Sequence, residues 1–92
     1  MIRRDVVIGL PDGLEARQVA MFVQIAGKYD SNVMIEYRGR KVNAKSIMGM
    51  MSLGIAKGED IGIITEGTDE HAAMKGIMDY LSGAIKTAST VV

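Results

Sequence analysis

Cysteine is absent from this chain. No disulfide, zinc–thiolate site or thiol nucleophile is therefore possible, and a reducing cytoplasm is the compartment that fits. Histidine occurs once, as His71. With carboxylates scattered around it, no metal-ligand spacing arises, and neither a metal nor another cofactor is expected. An excess of one charge is also missing: 11 basic and 11 acidic side chains give a formal net charge of zero. That argues against direct nucleic-acid binding by bulk electrostatics, which needs a basic face. A local cluster of Arg38, Arg40, Lys41 and Lys45 remains, read as a solvated face with a lesser chance of steering an acidic partner. No apolar run is long enough to span a membrane. Met1-Ile2-Arg3-Arg4-Asp5 is followed by no run of the signal-peptide kind, so no leader is expected. Repeats, low-complexity segments and interdomain linkers are lacking too.

What is present suffices for one domain. The 92 residues are 48% hydrophobic, enough for one core and too few for two, so residues 1–92 are expected to form a single domain. Ile2 to Ile8 places Ile2, Val6 and Ile8 on one parity with Arg3 and Asp5 on the other, which predicts a half-buried strand. Gly9 to Gly13 is a loop built on Pro11, Asp12 and Gly13. From Ala16 to Gly27 the period becomes helical, with Ala16, Val19, Ala20, Val23 and Ala26 predicted to share the buried face. Val33, Ile35 and Tyr37 alternate in a second strand. Arg38-Gly39 turns the chain into a third, Arg40 to Asn43, with Val42 inward. Ile61, Ile63 and Thr65 mark a fourth strand. Asp69 is positioned to cap a last helix whose face is Ala73, Ile77, Leu81 and Ala84. Tyr37 and Tyr80 read as packing residues with wet hydroxyls. Thr87 to Val92 has no pattern and is expected to fray. The order βαββαβα predicts an α+β fold: one four-stranded antiparallel sheet covered on one side by three helices.

The segment Lys45-Ser46-Ile47-Met48-Gly49-Met50-Met51-Ser52-Leu53 carries the most information. Ser46 is a favoured N-cap residue, and Gly54 can take the left-handed turn that ends a short helix. A helix this short cannot bury Ile47, Met48, Met50 and Met51 on one side, so part of that surface faces outward. A phosphate on Ser46 would bring about −1.5 to −2 charges to a helix N-terminus, which favours anions. Beside it would lie a polarisable methionine surface suited to protein partners. Spacing alone favours a plainer reading, in which Ser46 only caps and the methionines only pack.

Two motifs shift that balance. Lys45-Ser46-Ile47-Met48-Gly49 through Leu53, and Gly13-Leu14-Glu15-Ala16-Arg17-Gln18, resemble the HPr family of phosphotransferase-system phosphocarriers at the regulatory serine and the active-site loop. The resemblance runs to about Leu81 and implies the HPr-like open-faced β-sandwich. Two letters depart from the family pattern: Glu15 stands where the phosphocarrier has histidine, and Gln18 where it has proline. A carboxylate cannot form the phosphoramidate on which carrier transfer depends. The resemblance therefore implies a protein that is not an enzyme and has no histidine phosphocarrier activity. It is similar in logic to the regulatory branch called Crh (catabolite repression HPr), which lacks the histidine, keeps the serine, and usually has glutamine where this chain has Glu15.

In that branch Ser46 is the residue phosphorylated by HPr kinase/phosphorylase. The product docks on the transcriptional regulator CcpA as corepressor in carbon catabolite repression. Ile47, Met48 and Met51 would form the apolar docking patch, with Arg17 and Glu15 at the partner surface. Glu15 has two open readings, an imperfect mimic of phosphohistidine or the product of neutral drift. A degenerate phosphocarrier working through Glu15 or His71, and a constitutive scaffold, are the alternatives. A monomer or weak homodimer is expected, since an exposed first strand permits exchange.

Overall fold

Each strand segment offers one apolar row, and the register stacks these rows on one face of a single sheet. The computed structural model describes residues 1–82. Ala84 and the Thr87–Val92 tail lie outside those residues. The elements are β1 (Ile2–Val7), α1 (Ala16–Gly27), β2 (Asn32–Tyr37), β3 (Arg40–Asn43), α2 (Ile47–Met51), β4 (Asp60–Glu66) and α3 (Glu70–Leu81). The sheet order is β1-β4-β2-β3 and every pair is antiparallel. Ile2 faces Thr65, Val6 faces Ile61, Ile35 faces Ile63 and Val42 faces Ile35. Side chains two apart share a face, so one row packs under the helices and the other meets solvent. This is the α+β fold that the element order predicts, one antiparallel sheet covered on one side by helices, and the open-faced sandwich that the resemblance implies.

The core holds Ile8, Val19, Phe22, Val33, Ile35, Met50, Ile63, Ile77 and Leu81, all nearly inaccessible. The face that α1 buries differs from the alanine stripe expected for it. Val19, Phe22, Ile25 and Ala26 are buried, while Ala16 and Ala20 are exposed. The helix is turned so that Phe22 and Ile25 go inside, because they remove more apolar area from water than two alanines. Its neighbours are α2 and α3, and Phe22 meets the Tyr80 ring edge-on at 6.5 Å.

On the solvent face one long side chain crosses a strand. Arg3 on β1 lies over Gly62 of β4, where a Cβ would come within 2.9 Å of its guanidinium carbon, and it donates to Glu36 on β2. Both tyrosine hydroxyls expected to be wet have protein partners instead. Tyr37 donates to Glu59, and Tyr80 donates to the Gln18 carbonyl at 3.2 Å. Three of the four residues of the basic cluster are similarly engaged, and Lys41 is exposed. Arg38 bonds Glu59 at 2.9 Å, Arg40 bonds the Ser52 hydroxyl at 3.1 Å, and Lys45 bonds the Tyr29 carbonyl at 2.8 Å. Arg38 takes a positive φ of 51° in the β2–β3 turn, unusual for a side-chain-bearing residue. Its guanidinium lies 5.1 Å from the Tyr37 ring centroid, a cation–π contact that helps hold the turn.

Asp69 sits at the N-cap of α3, yet its carboxylate makes no cap bond there. It accepts instead from Asp30 N–H and Ser31 N–H, each at 2.9 Å, and from the Ser31 hydroxyl. The start of β2 is thereby tied to the β4–α3 turn. These donors hold the Asp69 carboxyl below its ordinary 3.8, the Ser31 hydroxyl contributing most. Glu70, bonded by Gly67 N–H, and Glu59, bonded by Tyr37 and Ala56 N–H, lie below their ordinary 4.5.

A carboxylate whose folded pKa is depressed contributes stability above its unfolded pKa and loses it as pH falls through the folded one. The urea midpoint is therefore expected to be level above pH about 5 and to fall below pH about 4. The Asp69→Asn variant should be less stable at neutral pH and show a shallower acid limb. Parallel acid limbs for the two proteins in a urea series across pH would contradict the assignment.

Candidate functional site

The Ser46 hydroxyl and the side chains around it are set by local backbone chemistry. Asn43 starts the turn: its side-chain oxygen accepts from Lys45 N–H at 2.8 Å and its carbonyl from Ser46 N–H at 3.0 Å. Ser46 then adopts φ −107°, ψ 114°, an extended N-cap conformation, and its Oγ accepts from Gly49 N–H at 3.2 Å. The residue is exposed. One turn later Met50 is buried, while Ile47, Met48 and Met51 stay open at 53%, 85% and 45%. The helix is anchored by one methionine and presents its other large side chains to water. Gly54 has φ +62° just beyond it, as the sequence reading expects. At that end Ser52 bonds the Gly49 carbonyl and receives Arg40.

The second predicted position, Glu15, is the extended N-cap of α1, with φ −87° and ψ −174° and no side-chain cap bond. Its carbonyl accepts from Val19 N–H at 2.8 Å. Glu15 and Arg17 are exposed. Among the described residues neither side chain has an ion pair or hydrogen bond, so both heads are available to a partner. Glu15 shares a hollow of about 530 Å3 with Met51. Its walls also include Leu14, Gly54, Ile55 and Ala56. The structure therefore brings Glu15 and Met51 to one surface, with Ser46 at the opposite end of α2. Arg17, Ile47 and Met48 do not line the hollow.

Beyond the helix stop at Gly54, the residues of the 55–58 loop were not singled out from sequence. Glycine punctuation marks a loop there, but nothing in the residue pattern says what it touches. Leu14 N–H donates to the Ile55 carbonyl at 2.9 Å, and Gly58 N–H donates to the Ile8 carbonyl at 2.9 Å. Gly13, at φ +67°, lies so close that a Cβ would sit 2.6 Å from the Ile55 oxygen. Glu59 secures the base of this loop by accepting from Ala56 N–H, Tyr37 and Arg38. Met21 on α1, 46% exposed, is a further large apolar side chain that the motif reading passed over.

His71 is exposed in the first turn of α3 and is absent from the hollow that holds Glu15. Among the described residues no three His, Cys, Asp or Glu side chains are grouped to hold a metal ion. None of the described helices is long and apolar enough to cross a membrane.

Residues 2–82 match the sequence model of a family described as "PTS HPr component phosphorylation site". The chain belongs to the HPr family. Within it, this chain is 48% identical over 81 residues to the HPr-like protein Crh of Halalkalibacterium halodurans, covering 88% of this chain and 96% of that one. The structure superposes on crystalline HPr-C-His from Thermoanaerobacter tengcongensis with TM-score 0.87 and 42% identity, over 90% and 93% of the two chains. It matches the Bacillus subtilis Crh crystal structure with TM-score 0.71 and 43% identity, over 88% and 93% of the two chains; that protein is described as a swapped, intertwined dimer. This HPr-family member thus carries an exposed serine at the N-cap of α2 and an exposed glutamate at the N-cap of α1.

Proposed function

We propose that this chain is a regulatory HPr-family protein phosphorylated on Ser46 by an HPr kinase/phosphorylase. The phosphorylated form then docks on a CcpA-type transcriptional regulator as corepressor in carbon catabolite repression. The observation that carries the reading is the accessible Ser46 hydroxyl joined to an α2 that buries Met50 and exposes Ile47, Met48 and Met51. A phosphoryl group there adds charge-assisted hydrogen-bond acceptors for a partner arginine, and the open methionines supply adaptable apolar contact. Arg17 and Glu15, both exposed, add charge at the partner surface. Similarity to proteins named Crh supports the same assignment.

Family members are phosphocarriers or regulators and not enzymes, and this chain works by being bound. Its action in the cytoplasm, without direct contact to nucleic acid or membrane, follows from that role. A homodimer fits the dimeric solved relatives.

The carrier role is expected to be missing because Glu15 offers no imidazole. Incubated with phosphoenolpyruvate and Enzyme I, the chain should take up no label. The Glu15→His variant should acquire an acid-labile one, checked by phosphate mapping. A labelled wild-type chain would favour the degenerate-carrier alternative. An inert Glu15→His variant would place a second block elsewhere, with Gln18 the first position to change.

A further inference from the structure

His71 belongs to neither surface described above. It lines a separate hollow of about 270 Å3 between β1 and α3. The floor is Ile2, Met74 and Met78, and the rim carries Arg4, His71 and the Lys75–Asp79 pair, joined at 3.0 Å. That pair neutralises itself. Arg4 is exposed and has no hydrogen bond or ion pair among the described residues, so the rim is cationic on balance.

The hollow adjoins an open sheet edge. Among the described residues β1 ends the strand order and pairs only with β4. Among the described residues, the backbone of residues 2–7 makes no hydrogen bond outside that ladder. In an antiparallel strand the alternate residues turn N–H and C=O away from the partner, which here leaves them facing the free side. Ile2, Arg4 and Val6 form the row on the helix side of β1, since they face Thr65, Ile63 and Ile61. A strand added along this edge would set every second side chain over the hollow.

We propose that the β1 edge and the hollow beside it receive an extended segment of another protein as a fifth strand. Backbone hydrogen bonds would provide affinity and the groove would select alternate side chains. The floor asks for apolar residues in the groove-facing row, and the Arg4–His71 rim asks for an acidic one among them. Charge selects this occupant over a second copy, because two copies joined edge to edge would bring two cationic rims together. The site is independent of Ser46, so its failure and that of the regulatory reading are separable.

The test is an amide NMR titration of the full chain with a capped hexapeptide, valine–threonine–glutamate–threonine–valine–threonine. Saturable shifts are expected at residues 2–7 and 71–79, with slowed amide exchange in β1. Lysine in place of the glutamate should weaken binding by about tenfold or more. Arg4→Glu, an exposed substitution, should reverse that preference. Backbone N-methylation of the peptide should abolish binding. The proposal is overturned by absence of saturable shifts, by equal affinity for both peptides, by shifts confined to α2, or by intermolecular NOEs in the peptide-free chain that place a second copy's β1 along the edge.

Discussion

Ser46→Ala is expected to abolish phosphate acceptance and, with it, tight binding to the regulator. The substitution removes the Oγ that would carry the phosphate and the cap bond to Gly49 N–H. The second loss alone costs about 1 kcal/mol of helix stability, too little to unfold the domain. The first is functional. Deleting one member of a hydrogen-bonded charge pair at an interface costs about 2–5 kcal/mol, which is about 30-fold or more in affinity. Calorimetry with the regulator, after treatment with kinase and ATP, should show this difference between wild type and variant. Untreated, the two should bind equally weakly. A Ser46→Thr variant keeps both a hydroxyl and a cap, and should retain part of the response if the hydroxyl is what matters. Equal tight binding by wild type and Ser46→Ala would favour the constitutive-scaffold reading.

Gly13→Ala should be the most damaging conservative change near the Glu15 hollow. Gly13 has φ +67°, and a Cβ there meets the Ile55 oxygen at 2.6 Å and the Ala56 Cα and Lys57 nitrogen at 2.9 Å. These are backbone atoms, which cannot rotate aside. Left-handed strain and overpacking together are expected to cost about 2–4 kcal/mol. For a domain of this size the Tm should fall by about 10 °C or more. Gly39 provides the control: its φ is +79°, but a Cβ there meets nothing within 4 Å. Gly39→Ala should therefore cost only the conformational part, about 1 kcal/mol. Because Leu14 N–H bonds the Ile55 carbonyl, the Gly13 variant should also shift the amides of Leu14 and Glu15, while the Gly39 variant leaves them in place. Equal losses of Tm would show that the loops do not press together as described.

What could be read from residues alone was local. The Ser46 cap follows from one hydroxyl and the next three residues, and the structure places its bond on Gly49 N–H. The strand rows follow from alternation, and Ile61, Ile63 and Thr65 are buried as the pattern requires. The face of α1 was harder, because two overlapping stripes share Val19 and Ala26. Phe22 and Ile25 decide between them only once a core exists to receive them. Long-range polar links left no mark in the pattern. Asp69 looks like a helix cap until Ser31 arrives from far along the chain, and Glu59 looks like a loop charge until Tyr37 and Ala56 converge on it. The outward pose of Met48, beside a buried Met50, also needed the fold, since identical letters sit on opposite sides of one short helix.

The most direct measurement is site-mapped mass spectrometry of the intact wild-type chain after incubation with an HPr kinase/phosphorylase and ATP. The account predicts one added phosphate, stable as an ester, located on Ser46 and absent from Ser52. No phosphate, or phosphate on Ser52 with Ser46 unmodified, would contradict it.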